Sequence, residues 1–394
     1  MISWIVVGSL LAVANGCTGE MTSSDDPPTD AGPGRPDLWE GVPMGDLGGL
    51  DPVDAGRGAD AGPGVDAAVP MDEDGGTDGG PLPSGDRIFV AMTHGGWTAT
   101  SCDGGDTWTT QERSSRRSDG EHHPYVGFAG VGYTNGVFVM GLGWGNEGGH
   151  LYSSANGMDW MERSRPGGTV DHGAILGNGS RFVAVKGAFG NSAVSTDGTS
   201  WSTGGTLPAG SWQVRQGKAF PDGTLVVVTT GPSTQVHVSE GDPDSWSSVE
   251  LDGNCVNRIQ VLGGIAKVGD TLVLGSRETL CTSRNGGSTW EQVRAGEYRG
   301  VFEDDTHLYA LQGSRILRSA DGMEWNQVAD VGATLGEGFC LRGECVVVPE
   351  GGGGVAYHSS NGTDWSAAGM VPSAGGDILS MTAGFANGDG RCGS

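Results

Sequence analysis

The chain has 394 residues and sets 48 acidic against 22 basic side chains, a formal net charge of −26. So acidic a chain repels phosphate, which excludes nucleic acid as a partner. Its 75 glycines and 18 prolines cluster unevenly, so the part able to bury a core is shorter than the whole.

In chain order, residues 1–16 read as a targeting segment. Ile5 to Val13 is apolar, too short to span a bilayer, and followed by small residues. Ala14-Asn15-Gly16-Cys17 resembles the lipobox of bacterial lipoproteins, with Ala14 where leucine is usual. The resemblance implies lipidation at Cys17 and attachment to membrane through that anchor alone. Thr18 after the cysteine implies sorting to the outer membrane of a Gram-negative envelope. An ordinary cleaved signal is the alternative.

Residues 17–86 are dominated by Asp, Gly, Pro and Ala, as in Asp51-Pro52-Val53-Asp54-Ala55-Gly56, and hold 16 of the acidic residues but only Arg35 and Arg57 of the basic ones. Such a segment cannot bury enough apolar surface to offset its ordering entropy, so disorder is expected. As a Gly-rich coil it makes a tether with an r.m.s. reach of roughly 45 Å.

From residue 87 to 394 a short phrase recurs seven times at intervals near 40 residues, ending at Trp108, Trp160, Trp201, Trp246, Trp290, Trp325 and Trp365. The clearest copy is Ser101-Cys102-Asp103-Gly104-Gly105-Asp106-Thr107-Trp108. The copy Ser239 to Trp246 is degenerate, with its aspartate displaced and a proline inserted. Such a period signals a repeat architecture. Two β-type runs precede each phrase, as in Arg181 to Val185 and Ser192 to Ser195, and hairpin signals such as Gly177-Asn178-Gly179 mark an earlier strand. Each unit therefore has four strands, A to D, with the phrase joining C to D. Four-stranded units of this length around an axis are the blades of a β-propeller. The first unit begins at Arg87 with a B-type strand and lacks its own A. Asp377 to Gly388 reads as a lone strand A with its turn. An all-β, seven-bladed propeller follows, closed by the C-terminal strand completing the first blade, which removes exposed sheet edges.

The phrase resembles the Asp-box, or BNR, repeat, Ser/Thr-x-Asp-x-Gly-x-x-Trp, and the resemblance covers residues 87–394. Its residue types have physical reasons. Asp and Ser oxygens bond a tight turn's N–H groups, glycine supplies φ > 0, and tryptophan fills the space between neighbouring sheets. The recurring aspartates are thus expected to be structural turns on the outer rim of one face.

Removing Cys17 leaves six cysteines, an even number in an exported chain, which suggests disulfides. Strand order favours the pairs Cys102–Cys392, Cys255–Cys281 and Cys340–Cys345. No Cys-x-x-Cys occurs and His122-His123 lacks a third ligand at a telling spacing, so no metal and no cofactor is expected.

Propeller ligands generally meet the opposite face, built from D–A and B–C connections. Of the twelve tryptophans, seven close the repeats and Trp4 and Trp39 precede the domain. The rest, Trp97, Trp144 and Trp212, map to that one face, where aromatic rings stack on sugars or anchor proteins. Filling the channel mouth is their alternative role. His122, His123, Glu147, His172, Tyr298 and Arg299 fall in the same connections, as does the cluster Arg113, Arg116 and Arg117.

The expectation is a monomeric, surface-tethered module that binds a glycan or a protein. Catalysis stays open. Sialidases, which carry Asp-boxes, place an Arg-Ile-Pro motif near the first strand, whereas Arg87-Ile88-Phe89 lacks the proline. Seven blades with a box in each look more like xyloglucanase-type glycosidases or photosystem-assembly propellers. An exo-acting glycoside hydrolase would need two carboxylates converging in the cleft, with Asp171, Glu147 and Glu297 as the first loop acids to inspect. An assembly or scaffold factor for an envelope complex is the third reading.

Overall fold

The computed structural model describes residues 86–93, 97–112, 130–142, 150–163, 172–186, 191–208, 213–231, 233–252, 255, 262–373 and 378–386. They form 28 strands in seven four-stranded antiparallel sheets, a seven-bladed β-propeller. Blades 2 to 7 take their four strands consecutively from the chain. Blade 1 takes Arg87–Thr93, Trp97–Ser101 and Thr109–Glu112 from the start and Ile378–Phe385 from the end. Arg87 pairs with Phe385 and Ala91 with Met381, so the last strand closes the ring as its first strand A.

Burial peaks in the middle strands of each blade and falls toward the lumen on the A strands and toward the rim on the D strands. The B strands are near-continuous apolar runs, as in Leu225–Thr230, because each is sandwiched between two neighbouring blades. The D strands, such as Glu291–Ala295, lie at the rim and are exposed or half-buried. On strand B of blade 1, Ile88, Val90 and Met92 face blade 2 while Phe89 and Ala91 face blade 7. The period-2 alternation of a strand thus supplies apolar side chains to both interfaces.

The core is accordingly a set of seven apolar layers, one between each pair of adjacent blades. One repeat tryptophan enters each layer: Trp108 packs between blades 7 and 1, Trp160 between 1 and 2, Trp201 between 2 and 3, and so on to Trp365 between 6 and 7. The turn that precedes each tryptophan docks on the preceding blade. Thr100 of blade 1 donates to the Gly157 carbonyl of blade 2 (2.8 Å), and Thr282 of blade 5 donates to the Gly322 carbonyl of blade 6 (2.8 Å). At Gly362, with φ +70°, a Cβ would fall on the Tyr309 hydroxyl of blade 6, so glycine is required by both backbone and space.

Within the turns the polar groups satisfy one another. The Ser101 hydroxyl donates to Asp103 Oδ1 (2.9 Å) and accepts from the Gly105 N–H (2.8 Å), while Asp103 accepts from the Thr107 N–H (2.8 Å). The Trp108 indole N–H donates back to the Gly105 carbonyl (2.9 Å). Asn156, Asn285 and Asn361 take the aspartate's place in three copies. The degenerate copy keeps the loop by other bonds: Ser239 donates to the Asp242 carbonyl (2.5 Å) and Trp246 to that of Pro243 (2.7 Å). Trp201 and Trp365 depart from the pattern, since their indole nitrogens have no partner among the described residues.

Cys255–Cys281 and Cys340–Cys345 are disulfides, with Cα atoms 5.5 and 4.0 Å apart, as strand order suggested. Cys102 is also disulfide-bonded. Its expected partner Cys392 lies outside the described residues, as does Cys17.

Candidate functional site: the central channel and its two mouths

Antiparallel order fixes two faces. A–B and C–D turns emerge on one, D–A and B–C connections on the other. The strands lining the axis are the A strands: Ile378–Phe385, Val131–Thr134, His172–Gly177, Gln213–Ala219, Leu262–Val268, Gly300–Glu303 and Leu335–Leu341. Near the axis they approach closely. A Cβ on Gly264, with φ +115°, would stand 2.5 Å from the Val301 backbone nitrogen, so only glycine fits.

A cavity of about 600 Å³ opens inside this ring, toward the A–B turns. Its walls combine half-buried apolar side chains such as Val268, Phe339 and Leu341 with Lys218, Glu303 and Glu337. Lys218 Nζ donates to Glu303 Oε2 at 2.8 Å and stands 5.6 Å from the Phe220 ring centroid and 5.5 Å from that of Phe339. This places one ammonium between a carboxylate and two aromatic rings. Burial pushes the Glu303 carboxyl above its ordinary range, an effect that the charge and hydrogen bond of Lys218 partly offset.

Glu337 differs. Its carboxyl makes no hydrogen bond or ion pair with any described residue, and burial pushes it up to about 8, with only the Lys218 charge acting the other way. Its side chain keeps partial exposure to the lumen. Nearer the mouth Lys267 pairs with Asp222. Burial works to raise Asp222, but hydrogen bonds from Lys267 and Thr224 outweigh it and hold the carboxyl below its usual range. Arg342 lies 4.2 Å from the Phe385 ring of the closing strand, and Glu344, in the same hairpin, pairs with Arg87. Among the described residues no group of three His, Cys, Asp or Glu side chains is arranged to hold a metal ion.

The channel cluster was not singled out from sequence. A signal was present: Lys218, Glu303 and Glu337 are charged residues inside A-strand runs, where the innermost strand of a closed ring faces the axis.

On the D–A/B–C face, Trp97 opens strand C of blade 1 and is half-buried, its backbone paired with Glu112. His172 opens strand A of blade 3, paired with Lys186. Tyr298 is fully buried in the layer between blades 5 and 6, with burial raising its phenol, so its ring packs in the core and offers no exposed contact. Arg299 pairs with Glu297 (2.7 Å) and with Glu350 of blade 7, linking two blades across this face. Glu297 is therefore matched by arginine. Trp144, Trp212, His122, His123, Glu147, Asp171, Arg113, Arg116 and Arg117 lie outside the described residues.

No protein-family profile matches this chain, and no curated protein matches it. Solved structures do. A protein from Lactobacillus plantarum superposes with a TM-score of 0.52 at 11% identity, covering 76% of this chain and 99% of that one. YCF48 bound to D1 peptide gives 0.47 at 15% identity, over 79% and 97%. A GH74 enzyme from Niastella koreensis gives 0.40 at 14% identity, over 73% and 64%. At such identities the likeness is one of propeller fold.

Proposed function

We propose that this chain is a binding module, an Asp-box propeller held to the cell envelope by a lipid on Cys17 and the acidic segment 17–86. It presents its D–A/B–C face to a glycan or protein partner. One observation supports this reading above others: the two faces differ in how much they vary. On the A–B/C–D face the same self-satisfied turn recurs in blade after blade. On the other face the connections are unequal, the longest running from Glu112 to Val131 and from Glu250 to Leu262. Variation mounted on a rigid repeat is the usual setting of recognition. Trp97, half-buried there, supplies an aromatic surface, and in sequence Trp144 falls between the B and C strands of blade 2 and Trp212 between the D strand of blade 3 and the A strand of blade 4.

The test is a glycan array and an envelope-extract pull-down with the wild type and a W97A/W144A/W212A variant, together with a fluorogenic glycoside screen. Binding that falls at least tenfold in the variant, without turnover, is expected. Binding indifferent to the three substitutions refutes the assigned face. Steady glycoside turnover instead establishes the hydrolase reading.

A further inference from the structure

The A–B mouth of the channel carries a second inference, independent of the opposite face. We propose that the cavity opening there binds an aliphatic ammonium group, as borne by a linear diamine or polyamine, with Glu337, deeper on its wall, as its counter-ion.

The site already displays the chemistry it favours. The Lys218 ammonium occupies a setting made of the Glu303 carboxylate and the Phe220 and Phe339 rings. That is a cation site filled by a side chain of the protein. Glu337 stands on the same cavity wall, in the same strand as Phe339. Asp305 on the same wall is exposed to solvent, and matching the enclosed charges leaves one group over. Lys218 is committed to Glu303 and Lys267 to Asp222. Asp304 accepts from Tyr309, Thr306 and His307. Arg342 lies over Phe385. Among these, Glu337 alone lacks a partner in the described structure, and an enclosed carboxyl without a cation either keeps its proton or acquires a positive ligand. Half-buried apolar side chains on the wall at Val268, Phe339 and Leu341 suit the methylenes of an alkyl amine, and about 600 Å³ is ample for one.

The ionisation of Glu337 gives the proposal a signature. Burial holds its proton to about pH 8. A bound ammonium would stabilise the carboxylate, so amine binding near pH 7 should release a proton. The other charged or titratable groups lining the same lumen are Lys218, Lys267, Arg342, Asp222, Glu303, Asp304, Asp305 and Tyr133. Lys218 with Glu303 and Lys267 with Asp222 already have partners, so an added positive charge acts chiefly on Glu337.

Isothermal titration of the full chain with cadaverine and with spermidine, at pH 7 in two buffers of different ionisation enthalpy, tests this. Binding at about 1 mM or tighter, with buffer-dependent heat reporting proton release, is expected. Glu337→Gln, whose folding is checked by its melt, should weaken binding about tenfold and abolish the proton release. Phe339→Leu, which removes one ring, should weaken it several-fold. Glu291→Gln, at the outer rim, should leave it unchanged. No heat with either amine, binding unaffected by Glu337→Gln, or a response to calcium in place of amines overturns the proposal.

Discussion

The rim turns and the channel mouth are both polar, both on the A–B/C–D face, and opposite in how their polar groups are served. In a rim turn each hydroxyl and carboxylate bonds a neighbour within the same few residues. Asp197 is drawn far below the usual carboxylate range by the N–H groups of Ser200 and Thr199. In the channel, partners come from different blades, Lys218 from blade 4 and Glu303 from blade 6, and Glu337 finds none. Local chemistry repeated around the ring yields turns whose serine hydroxyls and Asp or Asn oxygens are served within the turn itself. Groups assembled from distant strands can be left incomplete, and incompleteness is what a ligand can use.

The largest effect should come from breaking the docking of a turn on its neighbour. Gly362→Ala meets Tyr309 and should cost at least about 3 kcal/mol, whereas Gly286→Ala, with φ +66° and open space, should cost about 1 kcal/mol in backbone strain alone. Urea denaturation of both separates close approach from conformation, and equal costs would refute the docking role. Replacing Cys255 and Cys281 by serine removes a link across 26 residues and should cost about 3 kcal/mol by the same assay.

Two buried groups should shape pH dependence in opposite senses. His237 is fully buried, bonded to Thr229 and Ser248, and burial lowers it to about 4 from 6.5. The unfolded chain takes up that proton more readily, so the stability His237 supports is complete above pH 6.5 and is lost as pH falls toward 4, by on the order of 2–3 kcal/mol. The difference between wild type and His237→Gln should shrink over that interval. Glu337 works the other way. Its folded-state value is raised to about 8 from 4.5, so stability falls as pH rises between those values. Glu337→Gln should therefore gain on the wild type across that window, by about 1–2 kcal/mol after screening in the lumen. A gain that is flat with pH would show the carboxyl to be ordinary. The smallest effect belongs to the exposed rim: Asp197→Ala loses bonds to two backbone N–H groups and should cost about 1 kcal/mol.

Much of the fold was legible because its signals are local. The phrase from Ser101 to Trp108 carries its own turn chemistry, and its repetition sets the number of blades. The orphan strand at residues 378–385 identified the closure, since blade 1 otherwise lacks an A strand. Cys255–Cys281 and Cys340–Cys345 followed from strand order alone. The site was far less legible. Tyr298 and Arg299 are adjacent in sequence, yet one is sealed in an inter-blade layer and the other bridges to Glu350. Lys218, Glu303 and Glu337 lie far apart in the chain and share no motif.

The sequence by itself determined the repeat, the strand count and the ring closure, because turn geometry and period-2 apolar alternation act over a few residues. Tertiary structure alone decided which charges meet in the channel. Closing seven sheets around one axis brings A strands from remote parts of the chain within reach of one another. Burial there, absent in any isolated strand, leaves Glu303 paired with Lys218 and Glu337 holding its proton.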